Sequence, residues 1–461
     1  MAERFRRFTT RLWRTVLKSP ARIAIFGFAA VILVGALLLM LPAASPGPVG
    51  FINALFTATS ATCVTGLAVL DTGRELTRWG QVVVLCLIQV GGLGIMTIST
   101  LLLMVAGKRP SMIGRVVLYD TLTHSGERSV GSLLKDVALF TLAIEALGAV
   151  VMFTQFLPGR TKAEAVYLSV FHSISAFCNA GFSTFSGSFT AYQENVPMNL
   201  AVCFLIVSGG IGFLVLSEIR QRLAFRRRIL SRFSLHSKLV LSSTAFLLLT
   251  SAVLIVLMEW HNTLGPFTPF KKCLIGFFHA VSARTAGFNS ISVVDMSNEA
   301  IFLVILLMFV GASPGSCGGG IKTTTFSCLT ILGISRLFGR EKPQLFHRTI
   351  SQESTGKAVS IVIISIFIIF SATLLILMTE LGEISHPMSR GKFLELLFEV
   401  VSAFGTVGLS MGVTPGLSAA GKLIIIGVMF IGRLGPLMIA LAVSRQAGGR
   451  HYFAEENIMI G

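Results

Sequence analysis

The sequence predicts an all-α polytopic membrane protein made of four tandem units, each a span, a re-entrant pore loop and a span (M1-P-M2), around a pseudo-fourfold pore. Three observations predict it. Of the 461 residues 53% are hydrophobic and 13% charged, with a mean hydropathy of +0.80, well above the range of soluble domains. Apolar stretches near the roughly 20 residues that cross a hydrocarbon core recur along the chain. Two short glycine-containing patterns each return four times.

Eight spans are expected. Residues 23–41, 80–107, 239–258, 300–321 and 358–379 are uncharged or nearly so, 137–157 and 196–217 carry at most one acidic residue, and 423–444 is interrupted by Arg433. No small-residue cleavage pattern follows the first of them, so it is expected to stay in the mature chain. The cysteines, at 63, 86, 178, 203, 273, 317 and 328, are scattered and never form C-x-x-C. They suggest packing residues rather than a disulfide framework or a zinc site.

Net charge is +17, and its placement argues against nucleic acid as a partner. Seven basic residues fall within 4–22, seven within 220–238 and six within 322–357. The positive-inside rule then puts these segments and both termini in the cytoplasm. Their expected neighbours are anionic lipid headgroups, with a docking protein as a second use of the same face.

The first recurring pattern is Phe-x-x-x-Ser-Ala, at Phe56, Phe171, Phe278 and Phe398. It lies in a piece of about a dozen residues, too short to cross and suited to a re-entrant helix and loop. A glycine and a bulky apolar residue follow at Gly66-Leu67, Gly181-Phe182, Gly287-Phe288 and Gly408-Leu409, spaced six, six, five and six residues after the serine. The second pattern is 91–94 (G-G-L-G), 209–212 (G-G-I-G), 312–315 (A-S-P-G) and 432–435 (G-R-L-G), ending 28, 31, 28 and 27 residues beyond those glycines. Four units entering from one side follow, with expected boundaries at 23–118, 119–232, 233–348 and 349–446 between a basic arm (1–22) and a tail (447–461).

Irregular backbone survives at membrane depth only where protein buries it or where it lines a wet cavity. Four such loops imply one shared cavity. Glycine lets a loop turn its carbonyl oxygens inward to replace a cation's hydration shell, and the short helix before it brings the negative end of its dipole. The residues expected to line the filter are Val64, Thr65 and Gly66, Asn179, Ala180 and Gly181, Thr285, Ala286 and Gly287, and Thr406, Val407 and Gly408. None is ionised, which favours a monovalent ion such as K⁺ over Ca²⁺ or Mg²⁺. The column Gly91, Gly209, Ala312 and Gly432 suggests close helix packing instead.

In the third unit the run Gly311, Ala312, Ser313, Pro314, Gly315, Ser316, Cys317, Gly318, Gly319 and Gly320 cannot stay helical. It is a candidate gate, set against the reading of a kink without function. Its likeness to a phosphate-binding loop fails on register and on the missing strand, so no organic cofactor is expected. Arg433 sits at membrane depth, where a charge is costly unless it meets water or a partner. Either it pins the broken run through carbonyls and raises a barrier below the filter, or it forms a buried pair with Glu145, Glu218 or Glu399. Arg284, three residues before Gly287, is expected to brace the loop from behind.

On the loops 62–67 (T-C-V-T-G-L), 177–182 (F-C-N-A-G-F), 283–289 (A-R-T-A-G-F-N) and 404–409 (F-G-T-V-G-L), the broken third-unit span, Arg433 and the tail 452–461, the chain resembles the Trk/Ktr/HKT superfamily of K⁺ transporters. It resembles in particular the KtrB-type membrane subunits of bacterial Ktr systems. The resemblance covers essentially the whole chain. It implies K⁺ as the transported substrate, often with Na⁺ dependence, uptake across the bacterial cytoplasmic membrane, and gating by the run after Gly311. It also implies a homodimer, joined partly through residues 452–461, and a cytoplasmic ring of KtrA-type nucleotide-binding regulatory subunits. No loop reads as the full Gly-Tyr-Gly of K⁺ channels. A membrane-embedded lipid-modifying enzyme is the alternative from another class, but no H-E-x-x-H or Ser/His constellation supports it. A stand-alone monovalent cation channel is the nearer one.

Overall fold

The computed structural model describes residues 20–94, 130–224, 233–340, 342–346, 348–382 and 384–435. Most of the basic arm, the unit boundaries expected near 118, 232 and 446, and the tail 447–461 lie outside the described residues. What is described is almost wholly helical, with one two-stranded antiparallel hairpin, β1 (Gln344–Leu345) and β2 (Arg348–Thr349).

The helices fall into four stretches of the same order. The first holds α1 (Pro20–Leu39), the short α2 (Phe51–Thr62) and α3 (Arg78–Gly92); the second holds α4 (Val130–Phe156), α5 (Lys162–Phe177), α6 (Val196–Ile211) and α7 (Phe213–Ala224). The third has α8 (Leu235–Glu259), α9 (Pro269–Ser282), α10 (Asn298–Phe309) and α11 (Thr323–Leu337), and the fourth α12 (Gln352–Glu380), α13 (Lys392–Gly405) and α14 (Ala419–Leu434). The third helix of each stretch, called here its closing helix, starts at a side-chain cap. Thr77, Asn195, Ser297 and Ser418 each accept from a backbone N–H three residues on, satisfying one of the donors that a helix start leaves free.

Packing joins the stretches in a closed order. The closing helix of each lies against the short helix of the next, α3 on α5, α6 on α9 and α10 on α13, and α14 returns to α2. One hydrophobic core runs through all four, and Phe56, Phe171, Phe278 and Phe398, the first residues of the recurring serine pattern, are all fully buried in it.

One expected second span requires correction. Residues 196–217 do not form one helix: α6 and α7 meet at Gly212 and are bent by 100°. In residues 300–321, where the run 311–320 is expected to break the helix, α10 stops at Phe309 and a parallel bridge from Val310 to Ile321 folds the chain back on itself. The cause is local. Gly212 has φ of 98°, a left-handed value that ends an α-helix, whereas α10 leaves the helical region at Val310 (φ −90°, ψ 89°), ahead of the left-handed Gly315 (φ 69°). Gly94 and Gly435 share this conformation at φ of 80° and 82°. Among the described residues only 135–156 of α4, α8 and α12 are unbroken helices long and apolar enough to cross a membrane.

Candidate functional site

Each short helix delivers the same turn. After it comes a residue in the left-handed region, Val64 (φ 57°), Asn179 (φ 59°), Thr285 (φ 72°) or Thr406 (φ 50°), then one ordinary residue, then a left-handed glycine, Gly66, Gly181, Gly287 or Gly408. A β-branched residue with positive φ is a genuine outlier, so three of the four loops are held against a local preference. The serine of the repeated pattern does the holding. The backbone N–H groups of Thr65, Ala180, Ala286 and Val407 donate to the carbonyls of Ser60, Ser175, Ser282 and Ser402. Their hydroxyls bond the loop as well: Ser60 and Ser402 accept from the N–H of Gly66 and Gly408, both at 3.1 Å, while Ser175 and Ser282 donate to the carbonyls of Phe182 and Phe288 at 2.7 and 2.6 Å.

The loops meet in a ring. A Cβ built on Gly66 would stand 2.5 Å from the carbonyl oxygen of Ala180, one on Gly181 2.9 Å from that of Ala286, one on Gly287 2.4 Å from that of Val407, and one on Gly408 2.1 Å from that of Thr65. The order closes on itself, so residues from four distant parts of the sequence surround one axis. Val64, Thr65, Asn179, Ala180, Thr285, Ala286, Thr406 and Val407 are fully buried. Yet none of the carbonyls of residues 64–66, 179–181, 285–287 and 406–408 accepts a hydrogen bond among the described residues. Buried carbonyls are paired in the great majority of cases, and here a whole cluster is not. The buried hydroxyls of Thr62 and Thr65 likewise lack a partner among the described residues. Asn179 and Thr285 are joined between their side chains at 3.2 Å; with the Asn179 amide nitrogen turned to the Ala176 and Ile206 carbonyls, the Thr285 hydroxyl donates to its oxygen.

The run 311–320 crosses directly beside this ring. A Cβ on Gly318 would stand 2.2 Å from the Thr285 hydroxyl and one on Gly319 2.4 Å from that of Thr406, and the N–H of Gly319 donates to Thr406 at 2.9 Å. The same run is tied on its other sides to the closing helices of the second and fourth stretches. Ser313 N–H and Cys317 N–H donate to the carbonyls of Gly210 and Gly209, Gly320 N–H donates to that of Gly432, and Phe213 N–H donates to that of Gly315. Pro314 and Gly315 carry the turn, Ser316 donates to the Ser313 carbonyl at 2.6 Å, and Gly311 N–H bonds the Ile321 carbonyl at 2.8 Å.

Arg433 reaches into the run and meets carbonyls. Its guanidinium donates to the Cys317 and Gly91 carbonyls. The carboxylates considered as partners are engaged elsewhere: Glu145 with Gln89 and Cys178, Glu218 with Ser234 and Ser237, Glu399 with Ser410, Thr414 and the N–H of Met411. The column of small residues serves close packing, since a Cβ on Gly91, Gly209 or Gly432 would stand 2.0, 1.8 or 2.0 Å from the carbonyl ending a short helix, that of Thr62, Phe177 or Phe404.

One participant was not legible in the sequence. Lys322, counted with the basic loop that follows it, donates to the Gly318 carbonyl at 2.6 Å and so lies on the run beside Arg433. The four serines were visible as a pattern, but their fixed spacing to the glycine was the only hint that they hold the loop.

Residues 5–449 match the TrkH family model, described as cation transport protein. The chain belongs to this family. The TrkH-family chain is 38% identical to Ktr system potassium uptake protein B of Bacillus subtilis over 445 residues, covering 96% of this chain and 97% of that one. It is 36% identical over 442 residues to the protein of the same name from Vibrio alginolyticus, covering 95% and 94%. It is 37% identical over 449 residues to potassium/sodium uptake protein NtpJ of Enterococcus hirae, covering 96% and 97%. Its fold is that of the potassium transporter TrkH from Vibrio parahaemolyticus, whose crystal structure superposes with a TM-score of 0.75 at 18% identity, over 93% of this chain and 86% of that one. TrkH-family chains are transporters, not enzymes, and this one is a multi-pass membrane protein.

Proposed function

We propose that this chain takes K⁺ up across the bacterial cytoplasmic membrane through a channel-like pore made by four span, loop and span units. The closed ring of buried, unpartnered carbonyls carries this reading. A cation that sheds its water needs oxygen ligands fixed in advance, and a neutral main-chain cluster suits a weakly held monovalent ion. The short helices end at these loops and add the negative ends of their dipoles. The relatives named for potassium uptake support K⁺ as the substrate, and the one named for potassium and sodium makes Na⁺ a candidate second ion.

The run 311–320 is the gate in this reading. It lies against two of the four filter loops, held by Arg433 and Lys322, and the two cations set an electrostatic barrier on the route past it. Opening would exchange its hydrogen bonds to Gly209, Gly210 and Gly432 for water as the run moves aside. A homodimer and a KtrA-type cytoplasmic nucleotide-binding ring complete the proposal, on the strength of the relatives' Ktr system names and the basic cytoplasmic segments.

Growth of a K⁺-uptake-deficient bacterial strain on low K⁺ tests it. The chain with its regulatory partner is expected to restore growth, and Gly287→Ser to weaken discrimination against Na⁺. Membrane-inserted protein that restores no K⁺ uptake would remove the reading.

A further inference from the structure

Behind the third filter loop lies a small space. Ile206 and Gly210 of α6, Thr244 and Leu248 of α8, Arg284 and Ala312 border it. The volume open to the centre of a water-sized particle is about 20 Å³, room for one small occupant. Among the described residues, two side chains there carry a polar group with no partner. Arg284 is 8% exposed and its Nε–H is unbonded, and Thr244 is 7% exposed with its hydroxyl unbonded. Both groups donate, and the guanidinium has no acceptor lone pair.

The charge makes this more than a missing hydrogen bond. A buried cation at membrane depth is costly without a counter-charge. The carboxylates buried among the described residues do not supply one: Glu145, Glu259 and Glu399 are bonded to amide, thiol, hydroxyl and N–H groups of other residues. Arg284 also directly precedes Thr285 of the ring, so an uncompensated charge would act on any cation there.

The geometry points to a binding site for one small monatomic anion, a halide, held between Arg284 and Thr244. The ion neutralises the guanidinium, accepts from both donors, and screens the filter from a fixed positive charge. The test of this site does not require ion flux.

Bromide is the probe, because its anomalous scattering separates it from water. Crystals of the full chain grown in bromide are expected to show one anomalous peak between Arg284 and Thr244. Arg284→Gln is expected to lose it. Thr244→Val keeps the shape and removes one hydrogen bond to the ion, which raises the bromide concentration for half-occupancy about tenfold. A wild-type map with no anomalous peak there, a peak that survives Arg284→Gln, or an occupancy curve unmoved by Thr244→Val would each overturn the proposal. The valine variant carries the test if the glutamine variant does not fold.

Discussion

A methyl group on Gly408 would stand 2.1 Å from the carbonyl oxygen of Thr65, closer than any real side chain approaches an oxygen. That contact joins the last loop to the first and closes the ring. It also ranks the four glycines, because the corresponding gaps are 2.4 Å at Gly287, 2.5 Å at Gly66 and 2.9 Å at Gly181.

Substituting serine at these positions is therefore expected to damage ion selectivity in graded fashion, most at Gly408 and least at Gly181. All four need positive φ, which costs a non-glycine residue about 1 kcal/mol or more before any clash. Uptake of K⁺ against competing Na⁺ in proteoliposomes reads the order. Equal, wild-type discrimination in all four variants would take the ring out of the filter.

Arg433→Gln is expected to raise resting flux. Two hydrogen bonds from a charged group hold the Cys317 and Gly91 carbonyls, each worth about 1.5–3 kcal/mol, and a fraction of that released to the gating equilibrium increases the open population about tenfold. Radioactive Rb⁺ influx without the regulatory partner measures it. A variant that folds and conducts at the wild-type resting rate would leave Arg433 a packing residue.

Gly209→Ala is expected to lower stability by about 1–3 kcal/mol or more, since the added Cβ meets the Phe177 carbonyl at 1.8 Å and an overpacked site must shift backbone. Gly427→Ala in α14 is the control, with nothing within 4 Å of the added Cβ. It is expected to be neutral or slightly stabilising, as alanine favours a helix. Thermal unfolding in detergent compares the two.

Ser402→Ala removes the hydroxyl that accepts from the Gly408 N–H at 3.1 Å, a loss of about 1 kcal/mol. The carbonyl bond from Val407 remains, so the loop is expected to stay folded but loosen. Lower K⁺ over Na⁺ discrimination at near-normal expression is the signature. Unaltered selectivity would mean that the backbone bond alone holds the turn.

Much of this was readable from residue order because repetition constrains it. Four serines at nearly constant distance from four glycines marked the loops, and the structure puts the same left-handed turn at each. Composition and apolar length marked the chain as a membrane protein. Apolar length misjudged the second span of the second unit, because apolar residues continue past Gly212 while the helix bends there by 100°: hydropathy reports transfer from water, and a left-handed glycine interrupts the helix without changing it.

Sequence by itself determined which residues repeat, since the spacing of serine, glycine and apolar length is written in order along one chain. Tertiary structure alone decided what they meet: that the Thr65, Ala180, Ala286 and Val407 carbonyls come together in a ring, that Arg433 binds carbonyls and not a carboxylate, and that Lys322 joins it. The physical reason is that a main-chain oxygen is the same at every residue. Only the folding of distant segments against one another determines whether it finds a helix, a cation or another loop.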